Sequence, residues 1–388
     1  MMTLQAQFKS VFGVSAAVHA KAPGRVNLIG EHTDYNDGFV MPIAIQYAAN
    51  ILAAQRNDKK VHLYSIDFST QAQFSLDQIK YDTKQLWSNY QRGVFDQFQK
   101  RGASLYGANI LVQGNVPIGS GLSSSAAIEM ATAVAVRSLN GLDLPMVELI
   151  KISQRAENQF VGMNCGIMDQ FISGMGKKGM ALLLDCRSLD FEMIPFPSDT
   201  YSVMILNTRV KRELTGTEYN ERRSQCEEGV RILKEKMPRI RALRDVSVSD
   251  FEKHKSLLPE LVKKRCHHVI YENERTHVFA NALKQNDTGL MGRTLLESHE
   301  NLRDLYEVSC EELDLMVDLA MSVPGVIGAR MTGAGFGGCA IAMVKKGVES
   351  QVEAKIREDY PLKTGIEPEI YISQPSEGAT LLPLDSGV

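Results

Sequence analysis

The chain has 388 residues, 44% of them hydrophobic and 23% charged, with a formal net charge of −3. That length fits two domains or one large one and supplies a sizeable core. The near-neutral charge and the lack of a long basic run exclude the electrostatic footprint of a nucleic-acid or membrane-surface binder. No apolar run is long enough to span a bilayer, so small-molecule partners are expected.

The first third reads as strand-rich. "AAVHAKAP" and "GRVNLIG" are short β-like runs, 39–56 is mixed, 60–68 alternates apolar and polar residues through Val61 and Leu63, and 107–116 is another strand candidate. Residues 11–20 resemble a secretion signal only faintly, since Lys9 is the one basic residue before them and Gly13 and Ser15 dilute the apolar run. The pattern then turns helical. Residues 123–141 open on serines fit to cap, are rich in alanine, and stop at Asn140-Gly141. A second helix is expected over 144–162, with Pro145 in its first turn and Gly162 at its end. Strands follow in 177–188 and 201–210, charged helices at 217–236 and about 250–323, and strand, glycine-rich turn, strand over 326–346.

These elements suggest an α/β protein with a boundary near 175, giving a first domain over 1–175 and a second over 176–375, with a tail of about 376–388 able to pack on the first. The six cysteines, at 165, 186, 226, 266, 310 and 339, form no CxxC pair and no metal-ligand spacing. Reduced, mostly buried thiols in a cytoplasmic protein are the expectation.

Three stretches carry chemistry. "GRVNLIGEHTDYNDGFVMP" (24–42) sets Arg25, Glu31, His32, Asp34 and Asp37 between apolar ends. A solvated turn accounts for Asn36, Asp37 and Gly38, but charge among apolar residues is costly unless paired or used. "VPIGSGLSSSAA" (116–127) crowds glycines and serines at a helix start, where free N–H groups and the helix dipole attract an anion, here a phosphate. One cap needs one serine, and no Walker loop occurs in the chain. "TGAGFGG" (332–338) contains a formal G-x-G-x-x-G, yet a strand-like "CAIAMV" follows it where a dinucleotide site requires a helix. Its glycines are expected to allow a close backbone turn against another element or a ligand.

Two acids stand out besides. Glu157 falls inside the apolar stripe of its helix at 100° per residue, so it needs a partner, either a structural cation or Mg²⁺ held with phosphates. Asp169, after Ile167-Met168, is either a helix cap or the group that accepts a hydroxyl proton, and both readings stay open at this point. His267, His268 and His277 have no partners at ligand spacing.

Together the three stretches resemble, in order and position, the motifs of the GHMP small-molecule kinases, and the first resembles the galactokinase signature almost residue for residue. The resemblance runs from Lys21 to the end of the chain, including "ENQFVGMNCGIMDQF" and "TEYNERRSQC". It implies an N-terminal domain with a ribosomal-protein-S5-like fold, a C-terminal α/β domain, and an active site in the cleft between them. It further implies MgATP-dependent phosphorylation of the anomeric hydroxyl of galactose, the first committed step of galactose utilisation. By the same resemblance, Glu31, His32, Thr33, Asp34, Gly166 and Tyr219 are expected at the sugar, Asp169 as base and Arg25 beside the reacting hydroxyl. Gly119, Ser120, Gly121, Leu122, Ser123, Ser124 and Ser125 would form the triphosphate cradle, Ser65 would touch the nucleotide, and Ser125 and Glu157 would hold Mg²⁺. The competing readings are an N-acetylgalactosamine kinase and a sensor that binds galactose and ATP without turnover. A monomer or a weak homodimer is expected.

Overall fold

The structure, a computed structural model, describes residues 2–117, 119–210 and 215–384. In chain order, α1 (Leu4–Phe12) precedes β1 (Val18–Asn27), β2 (Phe39–Val40), β3 (Pro42–Arg56), β4 (Lys60–Ser65) and β5 (Thr70–Ser75), and α2 (Asn89–Lys100) then leads to β6 (Gly107–Gly114). Three helices follow, α3 (Ser124–Leu139), α4 (Met146–Arg155) and α5 (Met168–Met175), before β7 (Met180–Asp185), β8 (Phe191–Pro195) and β9 (Tyr201–Asn207). The helices α6 (Thr215–Leu233), α7 (Val248–His254), α8 (Glu260–Gln285), α9 (Thr288–Asp304) and α10 (Glu311–Met321) lead to β10 (Val326–Thr332), β11 (Cys339–Lys345), α11 (Glu349–Thr364), β12 (Glu369–Ser373) and β13 (Thr380–Leu381).

One sheet has the order β13-β1-β3-β6-β4-β5, a second β10-β11-β9-β12 and a third β2-β7-β8. Strands of the second sheet are apolar on both faces. In β9, Val203 and Ile205 pack into one apolar core and Met204 and Leu206 into another, and β11 divides Cys339, Ile341 and Met343 from Ala340, Ala342 and Val344 in the same way. A strand covered on both faces has no polar side, which is why these runs read as continuously apolar. The alanines of α3 are buried, small enough to bring the helix close to β1 and β3.

The two apolar runs at 16–30 form one strand, interrupted by a register shift between Pro23 and Arg25. Proline has no N–H to give a ladder, and a bulge is where a strand tolerates it. A β-carbon on Gly24 would stand 2.5 Å from the Leu122 carbonyl, so the chain of β1 lies directly against the loop before α3. The mixed stretch 39–56 resolves into β2 and β3, the latter paired with β1 over Pro42–Ala53 and with β6 over Ala49–Arg56. The helix expected over 144–162 ends as α4 at Arg155 and continues as a π-turn over Ala156–Val161, closed by Gly162. Sequence patterning missed α1, α2, α5, α11, β5, β8, β12 and β13. In α5 the reason is plain: it has eight residues, and Ile167 at its start offers no side-chain cap.

The tail returns to the first sheet: β13 pairs with β1, and the Gly378 and Ala379 amides donate to the Gly176 and Ser173 carbonyls. None of the six cysteines forms a disulfide among the described residues. Among the described residues, no helix is long and apolar enough to cross a membrane.

Candidate active site

A cavity of about 800 Å³ gathers residues from all three chemistry-bearing stretches: Arg25, Glu31, His32 and Asp34 from the first, Gly119 and Gly121 to Ser125 from the second, and Gly333 and Ala334 from the third. Its size suits two small molecules side by side.

Arg25 stands at the junction. The bulge in β1 precedes it, and its guanidinium grips Asp169 in a fork, Nε to Oδ1 and Nη2 to Oδ2, each at 2.7 Å. Nη1 donates to the Gly121 carbonyl at 2.5 Å. Burial works against the arginine's charge, yet Asp169 outweighs it and the guanidinium is held more firmly protonated than usual. Asp169 lies in the first turn of α5 without capping it, and its Oδ2 also accepts from the Ser123 hydroxyl.

That last contact explains the start of α3. Ser123 adopts a left-handed conformation, φ 57°, and makes no capping bond, because its hydroxyl is turned to Asp169. The serine expected to cap the helix therefore leaves the first-turn N–H groups free for an anion. Gly333 touches both neighbours, its amide donating to Glu31 Oε1 at 2.9 Å and a β-carbon on it falling 3.3 Å from the Gly121 carbonyl. The close approach expected of "TGAGFGG" is thus to the first two stretches.

The residues of the first stretch are held from far along the chain. Glu31 Oε2 accepts from Arg330 Nη2 at 2.8 Å and from Asn27 Nδ2 at 3.1 Å, and the ion pair is almost wholly buried. The amides of Gly30 and Glu31 donate to the buried carboxylate of Glu272 on α8 at 3.0 and 3.3 Å, and the His268 ring lies 3.0 Å from the Glu31 carbonyl. Burial would raise the Glu272 pKa, but Arg275, His268 and Arg330 outweigh it and hold it at about 2. His32 and Asp34 differ. Burial, with His268 nearby, pushes the His32 pKa down to about 3, so the ring is neutral. Burial, with Asp169 next in weight, raises Asp34 to about 7. Gly166 lies against Asp34, and a methyl group there would overlap the carboxylate. Tyr219 of α6 lines the cavity with its ring 5.7 Å from that of His32.

Glu157 projects from the π-turn, a local widening that recurs at functional sites. Among the described residues its hydrogen-bond partners include no cation: they are Gln170 Nε2 at 2.6 Å, the Cys165 thiol at 3.5 Å, the Ser125 hydroxyl and the carboxyl of Glu129. Burial, then Asp169, raises its pKa. Gln170 also donates to Glu129 at 3.1 Å, a second buried acid raised by burial and by Glu157. Among the described residues no cation pairs with either acid, and the Ser125 hydroxyl meets Glu157, so the residues fit a hard divalent ion.

Three expected residues turn elsewhere. The Thr33 hydroxyl is spent on the Gly30 and Phe39 carbonyls at 2.8 and 2.6 Å, and Ser120 donates to the Pro117 carbonyl at 2.6 Å. Ser65 accepts from the Phe68 amide at 3.3 Å, and none of the three lines the cavity. Sequence reasoning did not single out Tyr90, Met163, Cys165, Met168, Asn207, Arg209, Val210 or Glu369, which do. For Cys165 and Met168 the signal was their place beside Gly166 and Asp169. Asn207 and Glu369 sit at the ends of strands in the second sheet, where only the fold brings them in.

Known proteins corroborate this architecture. The GHMP kinases N terminal domain matches residues 89–177, the GHMP kinases C terminal domain 279–362, and the galactokinase galactose-binding signature 6–55. The chain is 46% identical over 365 residues to the galactokinase of Chloroflexus aggregans, covering 94% of this chain and 93% of that protein. It is 45% identical over 380 residues to that of Clostridium acetobutylicum, covering 97% of each. Lactococcus lactis galactokinase, solved complexed with galactose, superposes with a TM-score of 0.94 at 38% identity, covering 98% of this chain and 99% of that one. The mevalonate kinase of Methanococcus jannaschii shares the fold at 20% identity, with a TM-score of 0.65 and coverage of 92% and 98%. The chain therefore belongs to the galactokinases, ATP-dependent phosphotransferases of the GHMP kinase group.

Proposed function

We propose that the chain transfers the γ-phosphoryl group of ATP to the anomeric C1 hydroxyl of galactose, yielding galactose 1-phosphate and ADP. The observation that carries this reading is the fork between Arg25 and Asp169, with Arg25 tied at the same time to the Gly121 carbonyl. One arginine thus joins a proton acceptor to a loop built for anions.

In this reading Glu31, His32, Asp34, Gly166 and Tyr219 hold the sugar, and a site built on hydrogen bonds rejects a sugar whose hydroxyl is misplaced. Asp169 takes the proton of the anomeric hydroxyl, which is more acidic than an ordinary alcohol. The paired arginine holds the carboxylate in place, and a weak proton acceptor suffices because phosphoryl transfer passes through a loose transition state. Arg25 also offsets charge growing on the transferred group. The free amides of Ser124 and Ser125 and the loop from Gly119 cradle the triphosphate. Ser125 and Glu157 would hold Mg²⁺, which supplies neutralising charge to the phosphates when bound. We place the enzyme in the cytoplasm, working as a monomer, with residues 1–175 and 176–375 as its two domains; six cysteines without a disulfide among the described residues support the compartment.

The test is coupled ADP release with MgATP, offering galactose, N-acetylgalactosamine, glucose and mevalonate in parallel. Turnover on galactose alone is expected. Preference for the N-acetyl sugar overturns the substrate, and galactose binding without turnover overturns the enzyme in favour of a sensor.

A further inference from the structure

The first turn of α5 carries two polar residues side by side, and the mechanism above uses one of them. Asp169 faces the cavity and Arg25, whereas Gln170, about 100° further round the helix, is fully buried. The side-chain nitrogen of Gln170 lies 2.6 Å from Glu157 Oε2 and 3.1 Å from Glu129 Oε2. Glu129 is fully buried too, and of the three only Glu157 lines the cavity.

An amide nitrogen has two protons to give, and here two carboxyl oxygens stand within reach of it. Reversing the amide would set its oxygen against acceptor oxygens. The Gln170 carbonyl, for its part, is buried without a hydrogen-bond partner among the described residues. A glutamine that served packing alone would satisfy both ends of its amide; this one serves the acids and leaves its oxygen unpaired. The choice of residue matters as well. A lysine or arginine in this place would cancel the charge that draws a divalent ion, while an amide orients the carboxylate and leaves its charge intact. The residue after Glu157 adds a second tie: Asn158 Nδ2 donates to the Cys165 carbonyl at 3.1 Å, and Asn158 Oδ1 accepts from the Cys165 amide at 3.0 Å. Two successive residues of the π-turn are thus fastened to the stretch that carries Asp169.

We infer that Gln170 is a positioning residue for Mg²⁺, its amide holding the Glu157 carboxylate at the cavity wall without neutralising it. The inference rests on the reading of Glu157 as a ligand of the ion. It gives α5 two tasks at once, since the helix turn that offers the proton acceptor also fixes the metal ligand. Removing a hydrogen-bond partner of a ligating carboxylate typically costs about 10–100-fold in metal affinity or activity.

The experiment is calorimetric binding of ATP to the full chain, once with excess Mg²⁺ and once with EDTA, for the wild type, Gln170→Met and Glu157→Gln, alongside steady-state kinetics. Gln170→Met keeps the length of the side chain and removes its donors. It is expected to weaken ATP binding in Mg²⁺ about 10–100-fold and to raise the Mg²⁺ concentration needed for half-maximal turnover. ATP binding in EDTA and the galactose KM should stay within about twofold of wild type. An equal loss with and without Mg²⁺, or no loss in either, overturns the inference. Glu157→Gln is expected to lose the gain in ATP affinity that Mg²⁺ brings. If it keeps that gain, the reading of Glu157 as the ligand fails and the inference with it; if it loses the gain while Gln170→Met keeps it, the inference alone fails. The wild type supplies a check that does not depend on a variant folding. In ¹⁵N NMR of the ATP complex, the Gln170 side-chain N–H protons, assigned through bonds, should exchange slowly with solvent and shift when Mg²⁺ is added, and fast exchange or an unmoved signal overturns the inference.

Discussion

The two ends of the cavity are built by opposite means. Around Glu31, His32 and Asp34, side chains are fixed by partners more than two hundred residues away: Arg330 on the carboxylate, Glu272 on the backbone amides and His268 on the Glu31 carbonyl. Around Gly119 to Ser125, local chain geometry does the work, with a left-handed serine and a helix start left uncapped. Charges, hydroxyls and rings at defined places suit recognition of one sugar, while backbone N–H groups suit any polyphosphate. Selectivity and phosphate binding should therefore respond separately to mutation.

The largest effect is expected where the ends meet. Asp169→Asn removes the proton acceptor and should lower kcat by about 10²–10⁴-fold while leaving ATP affinity within about threefold; near-normal turnover would remove Asp169 as the base. Next comes the long-range end. Arg330→Met leaves Glu31 buried without its cation and should cost about 3–5 kcal/mol of stability, read as a lowered denaturant midpoint. Ser124→Ala, at the local end, should leave that midpoint nearly unchanged. If both variants destabilise equally, the contrast between the ends fails.

Two further variants act on the sugar end alone. Gly166→Ala drives a methyl group into Asp34 and should raise the galactose KM at least about tenfold with the ATP KM unchanged. Asp34 itself gives a pH signature. Its folded pKa of about 7 lies above the 3.8 of an ordinary aspartate, so the folded chain holds an extra proton between those values. The stability linked to that proton is present at low pH and is lost as pH rises through 7. Galactose, donating to the ionised carboxylate, should bind about tenfold more tightly per pH unit up to 7 and level off above it. Asp34→Asn should flatten that calorimetric profile, and a profile rising equally in Asp34→Asn would assign the titration elsewhere. The smallest effect is expected from Ser65→Ala, whose hydroxyl faces the Phe68 amide: an ATP KM within about twofold of wild type. A larger rise would restore Ser65 as a nucleotide contact.

The contrast also governs what could be read from the sequence. The glycine- and serine-rich loop was legible because its pattern, glycines and serines before an alanine-rich helix, lies within about ten residues of chain. The polar cluster at 31–34 was legible as chemistry in residue types, but its supports were not. Arg330 lies in an apolar run and Glu272 on a charged helix, with nothing local to distinguish either. The π-turn holding Glu157 was hidden because an extra residue per turn leaves no mark in a 3.6-residue pattern. Thr33, Ser65 and Ser120 carry the right hydroxyls in the right motifs, and only the backbone decides that they bond to the chain's own amides and carbonyls. Topology was legible only in part: the hairpin at 326–346 declared itself, whereas eight-residue α5, which sets Asp169 beside Arg25, did not.

The pairing of β13 with β1 has a consequence for how the protein is made. The first sheet is nearly complete once β6 leaves the ribosome, yet one edge of β1 is covered by residues 380–381. At about 5–20 residues per second, that edge stays open for on the order of ten seconds or more while the rest of the chain up to β13 is synthesised. An open strand edge is a template for pairing with other chains, so the nascent protein is most vulnerable to aggregation in this interval. Slow codons placed after β6 would prolong the exposure, and a chaperone that shields sheet edges would act here, before any substrate site exists.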